Sequence, residues 1–296
     1  MTPKVFLDYD QKALDDAYDQ AVYAPNREQI LARLARTSAL VRQRLGEPMR
    51  LAYGPAGIEK LDLYRTARPH APVNVFIHGG AWLRGLARDY AFPAEMFVGA
   101  GAHYVAIDFS NVTETGGSLA PIADQVRRAI AWICRNCASF GGDPARVYVS
   151  GTSSGAHFGG VAAATDWNGD FGLPRDAVKG YTLCSGMYDL HGPRLSRRSH
   201  YVKFTDEVED ALSPQRHLER IVAPVVLVYG SLETPEFQRQ SREFAEALRQ
   251  AGKRIELIAA EGYNHFEIAE TLGNPYGAMG RAVLGQMGIT SPADPA

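Results

Sequence analysis

The chain has 296 residues, 46% hydrophobic and 22% charged, the balance of a globular protein long enough to bury a large core. A formal net charge of -2 gives no basic field for nucleic acid or for an anionic membrane surface. The opening stretch, MTPKVFLDYDQKALDD, is acidic and lacks an apolar h-region, and no apolar run reaches membrane-span length. The expectation is therefore a soluble, cytoplasmic protein.

In chain order, the first fifty residues read as helical. NREQILARLARTSALVRQRLG predicts a helix with Asn26 as N-cap and Gln29 in the capping-box position. Its apolar stripe runs through Ile30, Leu34, Val41 and Leu45, and Gly46 stops it. MRLAYG and EKLDLYR alternate with period two around a Pro-Ala-Gly loop, which predicts an antiparallel pair at a sheet edge.

From about residue 72, short apolar runs alternate with longer helical patterns. VNVFI, HYVAIDF, RVYVSG, VKGYTLCSG, VVLVYG and RIELIAA have the continuous apolar character of parallel strands covered on both faces. Right-handed helical crossovers between them make an α/β fold with a mostly parallel, doubly wound sheet, here a single domain over 1–296. The stretch 186–222 breaks the alternation and reads as an insertion over the carboxyl ends of the strands, where ligands bind in such folds.

Cys134, Cys137 and Cys184 make no disulfide framework, although the first two form a C-x-x-C. They fall late in LAPIADQVRRAIAWICRNCASF, where Ile122, Val126, Ile130, Ile133 and Cys137 recur at helical spacing. A redox pair belongs at a helix N-terminus, where the dipole lowers the thiol pKa. A zinc site needs further ligands nearby. Both cysteines are therefore expected to be buried and structural, with no metal and no cofactor in the protein.

The chemistry starts at VYVSGTSSGAHFGG. Gly151, Thr152, Ser153, Ser154 and Gly155 satisfy G-x-S-x-G, between a strand pattern and a helix pattern rich in small residues. A strand-to-helix turn this tight needs glycines on either side of a strained, exposed central serine, here Ser153. Ser154 is better used through its backbone N–H. Upstream, VFIHGGAW places His78, Gly79 and Gly80 directly after a buried strand. With Ser154, Gly79 and Gly80 supply N–H groups for an oxyanion. His78 reads as a loop organiser rather than a base.

The base must follow the nucleophile in this arrangement. His265, in AAEGYNHFEIAE after the last strand pattern, is best placed; His157 is too near Ser153 along the helix, and His191, His200 and His217 lie in the insertion. The acid should follow the preceding strand, and VVLVYGSLETPEFQRQS offers Glu233 and Glu236. Pro235 reads as N1 of the next helix, which aims Glu236 along it. Glu233 is the assignment, with Asp189 after TLCSGMY as the alternative acid.

These motifs resemble those of the arylformamidase (kynurenine formamidase)-like serine hydrolases of the α/β-hydrolase superfamily, near the hormone-sensitive-lipase-type esterases. HGGAW, GTSSGAH, LETPEFQRQS and YNHFEIAE carry the resemblance, which spans residues 8–285. It implies an α/β-hydrolase fold with Ser153 as nucleophile, His265 as base and Glu233 where some relatives have aspartate. It also implies that residues 1–46 and 186–222 cover the active site. The run FSNVTETGGSLAPI departs from the family pattern, with Phe109 where relatives carry Tyr, and the departure bears on substrate identity. Trp82, Phe109 and Tyr263 are the candidate pocket aromatics.

The resulting expectation is a metal-free serine hydrolase cleaving a small aromatic ester or N-acyl aromatic amide, with no nucleic-acid or membrane partner; a homodimer is compatible with it. A general short-chain carboxylesterase is the alternative within the class. A ligand-binding protein on a hydrolase scaffold is the alternative outside it.

Overall fold

The computed structural model describes residues 3–289. Its strands are β1 (Met49–Ala52), β2 (Lys60–Tyr64), β3 (Ala71–Ile77), β4 (His103–Ile107), β5 (Gly142–Thr152), β6 (Tyr181–Cys184), β7 (Val225–Gly230) and β8 (Ile255–Ala260). They form one eight-stranded sheet in the order β1-β2-β4-β3-β5-β6-β7-β8. The β1–β2 and β2–β4 pairs are antiparallel and the rest parallel, so the expected hairpin lies at one edge.

The helices are α1 (Gln11–Ala17), α2 (Gln20–Tyr23), α3 (Arg27–Leu45), α4 (Ala94–Gly99), α5 (Ala120–Asn136), α6 (Ser154–Ala163), α7 (Trp167–Phe171), α8 (His191–Leu195), α9 (Asp206–Ala211), α10 (Pro235–Gln250), α11 (His265–Glu270) and α12 (Ala278–Gln286). No helix among the described residues is long and apolar enough to cross a membrane.

The period of two along a strand sends alternate side chains to opposite faces. On β3, Val73, Val75 and Ile77 pack with Ile122, Val126 and Ile130 of α5, whereas Phe76 faces Phe97, Tyr104 and Met279 on the other side. Every residue of β3, β4, β6 and β7 is buried, which is why these strands read as unbroken apolar runs. The edge strand β8 is only half covered.

Two details of α3 differ from the sequence reading. Leu45 is exposed, while Ile30, Leu34 and Val41 of the same stripe are buried. Asn26 occupies the N-cap position without a side-chain capping bond. Its amide bonds across the fold instead: Nδ2 donates to Glu267 (2.7 Å) and Oδ1 accepts from Asn264 (2.8 Å).

All three cysteines are buried. Burial pushes the Cys134 thiol up to about 12 and the Cys137 thiol up to about 11, with a neighbouring Cys137 and Asp143 respectively adding to the shift. Loss of aqueous solvation disfavours the thiolate, the reactive form. Ellman's reagent should therefore titrate none of the three thiols in the native protein and all three after unfolding in guanidinium. Prompt native-state reaction at Cys134 and Cys137 would restore the redox reading of the C-x-x-C.

Candidate active site

Strand β5 meets α6 at Ser153, whose backbone sits at φ +56° and ψ -124°, a region that costs a non-glycine residue free energy. A Cβ at Gly151 would stand 2.7 Å from the Gly155 carbonyl oxygen, and one at Gly155 only 2.1 Å from the Ile77 carbonyl oxygen. Both glycines are thus required by close backbone approach. The Ser153 N–H donates to the Cys184 carbonyl (2.8 Å), which pins the turn to the end of β6.

Glu233 and His265 come to this serine from the loops after β7 and β8, across β6. His265 Nε2 lies 2.9 Å from Ser153 Oγ, and its Nδ1 lies 2.7 Å from Glu233 Oε2. An ionised carboxylate only accepts, so Nδ1 carries the proton and Nε2 offers its lone pair to the serine hydroxyl. The other Glu233 oxygen accepts from the Gly230 N–H (2.7 Å) and from the Ser185 hydroxyl. Glu233 is 2% exposed, so these bonds are what make a buried charge tolerable there. Asp189 is instead bound to Arg216 (3.1 Å), and Glu236 accepts from Tyr18 (2.8 Å) and Arg239 (2.7 Å). Of the acids weighed from the sequence, only Glu233 reaches the imidazole.

Two loops hold this arrangement. The Leu232 N–H donates to the Tyr263 carbonyl (3.0 Å), tying the acid loop to the histidine loop. A Cβ at Gly230 would stand 2.2 Å from that same carbonyl oxygen, so only glycine permits the closure. Asn264 caps α11 by accepting from the Phe266 and Glu267 N–H groups, while Glu267 accepts from the Asn264 N–H. His265 is therefore the first residue of a firmly capped helix.

The loop after β3 runs beside the serine. A Cβ at Gly79 would lie 3.1 Å from Ser153 Cβ, and Gly80 has φ +128°, where a Cβ would strike the Arg84 carbonyl at 1.9 Å. The N–H groups of Gly79 and Gly80 find no acceptor among the described residues. Ser154 opens α6, and a first-turn N–H has no intrahelical partner. His78 organises the loop: Nδ1 bonds the Gly79 carbonyl (2.8 Å), and the ring stacks on Phe109 with centroids 4.2 Å apart.

A cavity of about 660 Å³ opens over Ser153, His265, Gly79 and Gly80. Its far walls come from the N-terminal segment, with Tyr18, Leu31 and Leu34, and from the 186–222 stretch, with Arg198 and Tyr201. The three aromatics expected in the pocket lie elsewhere. Trp82 is buried behind it, its Nε1–H held by His157 (3.2 Å); Phe109 is held against His78; and Tyr263 is 37% exposed on the outside of the histidine loop. Motif-adjacent aromatics support the loops here, whereas the lining comes from helices far away in sequence. Ser185 and Arg198 were also missed, because a lone serine or arginine outside a motif carries no sequence signal.

A serine elbow after β5, a buried acid after β7 and a histidine after β8 of a mostly parallel sheet define the α/β-hydrolase class. The BD-FAE family model matches residues 61–178. The chain is 31% identical over 232 residues to the kynurenine formamidase of Danio rerio, covering 76% of this chain and 76% of that protein. It is 31% identical over 280 residues to esterase LipQ of Mycobacterium tuberculosis, covering 82% of this chain and 66% of that one. The crystal structure of a proposed thioesterase from a Silicibacter species aligns with a TM-score of 0.79 at 21% identity, over 90% of this chain and 97% of that chain. The chain belongs to the kynurenine formamidase-like family of α/β-hydrolases, close to the esterases, and is a hydrolase acting on esters or amides.

His157, on α6 behind the serine, supplies a test of the site's packing. Its Nδ1 accepts from Trp82 and its Nε2 donates to the Leu212 carbonyl (2.8 Å), which fixes one neutral tautomer. Burial pushes its pKa down from 6.5 to about 4. The folded value lies below the unfolded one, so between these limits the unfolded chain binds more protons and stability falls as pH falls. The loss across the window should be about 3 kcal/mol in urea unfolding, and His157→Gln should remove most of it. An equal loss in wild type and variant would contradict the buried neutral imidazole.

Proposed function

We propose that the chain is a serine hydrolase that cleaves a small aryl ester or an N-acyl aromatic amide of the aryl formamide type, through an acyl-enzyme. The carrying observation is the unbroken Ser153–His265–Glu233 hydrogen-bond chain, opening into a cavity beside the free N–H groups of Gly79 and Gly80. Glu233 holds Nδ1–H, so Nε2 takes the serine proton as Oγ attacks the substrate carbonyl. The oxyanion that forms is met by the N–H groups of Gly79, Gly80 and Ser154. The imidazolium then gives its proton to the leaving arylamine or aryloxide as the acyl carbon–heteroatom bond breaks. Water deprotonated by His265 attacks the acyl-serine and releases the acid and free serine.

The name of the Danio rerio relative supports the formamide reading, and the cavity lining supports an aromatic group. Tyr18, Leu31 and Leu34 line the cavity with apolar and aromatic surface that suits a flat aromatic group. The likeness to esterase LipQ favours a second reading, a general short-chain carboxylesterase. Aryl acetates, longer acyl esters and N-formyl anilides assayed side by side separate the two.

For the formamide reading, kcat/KM is highest for formyl or acetyl groups, and each poorly fitted methylene costs roughly 1 kcal/mol. A preference rising steadily past about eight acyl carbons would sink that reading and leave a lipase-like esterase. The acid is tested separately. Glu233→Gln should cut kcat by about 10⁴-fold with the fold retained, because the amide cannot stabilise the imidazolium and selects the wrong tautomer. Asp189→Asn should cost less than about tenfold, its carboxylate being engaged by Arg216. The reverse order of damage would move the acid to Asp189.

A further inference from the structure

Arg198 is 6% exposed and lines the catalytic cavity, yet it has no carboxylate partner among the described residues. Its neighbours in the same stretch do: Arg194 pairs with Asp206 and Glu209, Arg197 with Asp19, and Arg216 with Asp189 and Glu209. The Arg198 guanidinium donates only to the Tyr18 carbonyl (3.0 Å) and to the Tyr201 hydroxyl oxygen (2.9 Å), and its buried Nε–H has no acceptor. A guanidinium carries five N–H donors, so most of its capacity is unspent. Its central carbon lies 5.4 Å from the Trp82 ring centroid and 5.9 Å from that of Phe237, faces that attract a cation without neutralising it. Burying a charge with no counter-ion is strongly unfavourable, and neither hydrogen bond here requires a permanent cation.

We infer that Arg198 binds a carboxylate carried on the aromatic part of the substrate. Tyr201 completes the subsite: its oxygen accepts from Arg198, which leaves its own proton free to donate to the same anion. Phe237 packs against both groups, its ring centroid 5.9 Å from the guanidinium carbon and 5.0 Å from the His265 ring centroid, and Arg198, Tyr201, Ser153 and His265 line one cavity, so a single substrate can meet the anion site and the serine together. Asp19, the nearby carboxylate on the cavity wall, is held by Arg197 and does not compete for Arg198. The inference rests on the serine-hydrolase reading for its chemistry and adds the charge of the substrate to it.

The test compares a formamidobenzoate with the matching neutral formamidobenzamide. Wild type should favour the anion in kcat/KM by at least about tenfold, the scale of a hydrogen-bonded charge pair. Arg198→Met should bring that ratio close to one, and Arg198→Lys should retain part of it. A merely structural Arg198 lowers both values together and leaves the ratio unchanged, which would overturn the inference. So would a wild-type enzyme with no preference. Binding without chemistry gives an independent measurement in the Ser153→Ala protein. Aminobenzoate should raise its Tm where aminobenzamide does not, and the shift should shrink in Ser153→Ala/Arg198→Lys, which keeps the charge without the fork, and vanish in Ser153→Ala/Arg198→Met. Equal shifts from both ligands, or none from aminobenzoate, count against the carboxylate subsite. If neither formamide is hydrolysed but aminobenzoate alone raises Tm, the formamide reading fails and the anion subsite stands.

Discussion

Between Gly151 and Gly155 the backbone turns from strand to helix with less room than one methyl group needs. The rest of the site is arranged around that closeness. Because α6 starts against the carbonyls of Ile77 and His78, the end of β3 and the loop after it are drawn alongside the serine. Ser153 is then held at positive φ with its N–H on the Cys184 carbonyl, and its Oγ meets His265 Nε2 (2.9 Å) from the loop after β8. The strain at one residue is offset by packing over the whole of α6, every residue of which is buried.

The N-terminal helix α3 and the histidine loop are joined by hydrogen bonds. Asn26, at the start of α3, bonds both Glu267 and Asn264, and Asn264 directly precedes His265. Farther along the same helices, Arg33 pairs with Glu270. Gln240 on α10 accepts from the N–H groups of Tyr188 and Asp189 and donates to the Asp189 carbonyl, which fixes the start of the 186–222 stretch. The segments that close the cavity therefore also hold the histidine and the acid loops in place.

Much of this could be read in the sequence, for reasons tied to local chemistry. Ser153, Gly79, Gly80 and the strand pattern were legible because tight turns and doubly covered strands restrict residue type over a few consecutive positions. His265 and Glu233 were legible through chain order, each following a strand run by a few residues. The pocket aromatics were not. Trp82 and Phe109 sit next to motifs in sequence, but their rings serve to support His157 and His78, and the lining comes from Tyr18, Tyr201 and α3. Asn26 looked like an ordinary cap, since nothing local reveals a partner more than two hundred residues away. Ser185, at φ +57° with its hydroxyl on Glu233, gave no signal for the same reason.

The central claim is that Ser153, activated by His265, is the nucleophile. Incubation with an aryl fluorophosphonate followed by intact-mass and peptide mass spectrometry tests it most directly. The account predicts a single adduct per chain, mapped to Ser153 in the segment RVYVSGTSSGAH, and no adduct in Ser153→Ala. Modification at Ser154 or Ser185 instead, or an adduct that persists in Ser153→Ala, would contradict it.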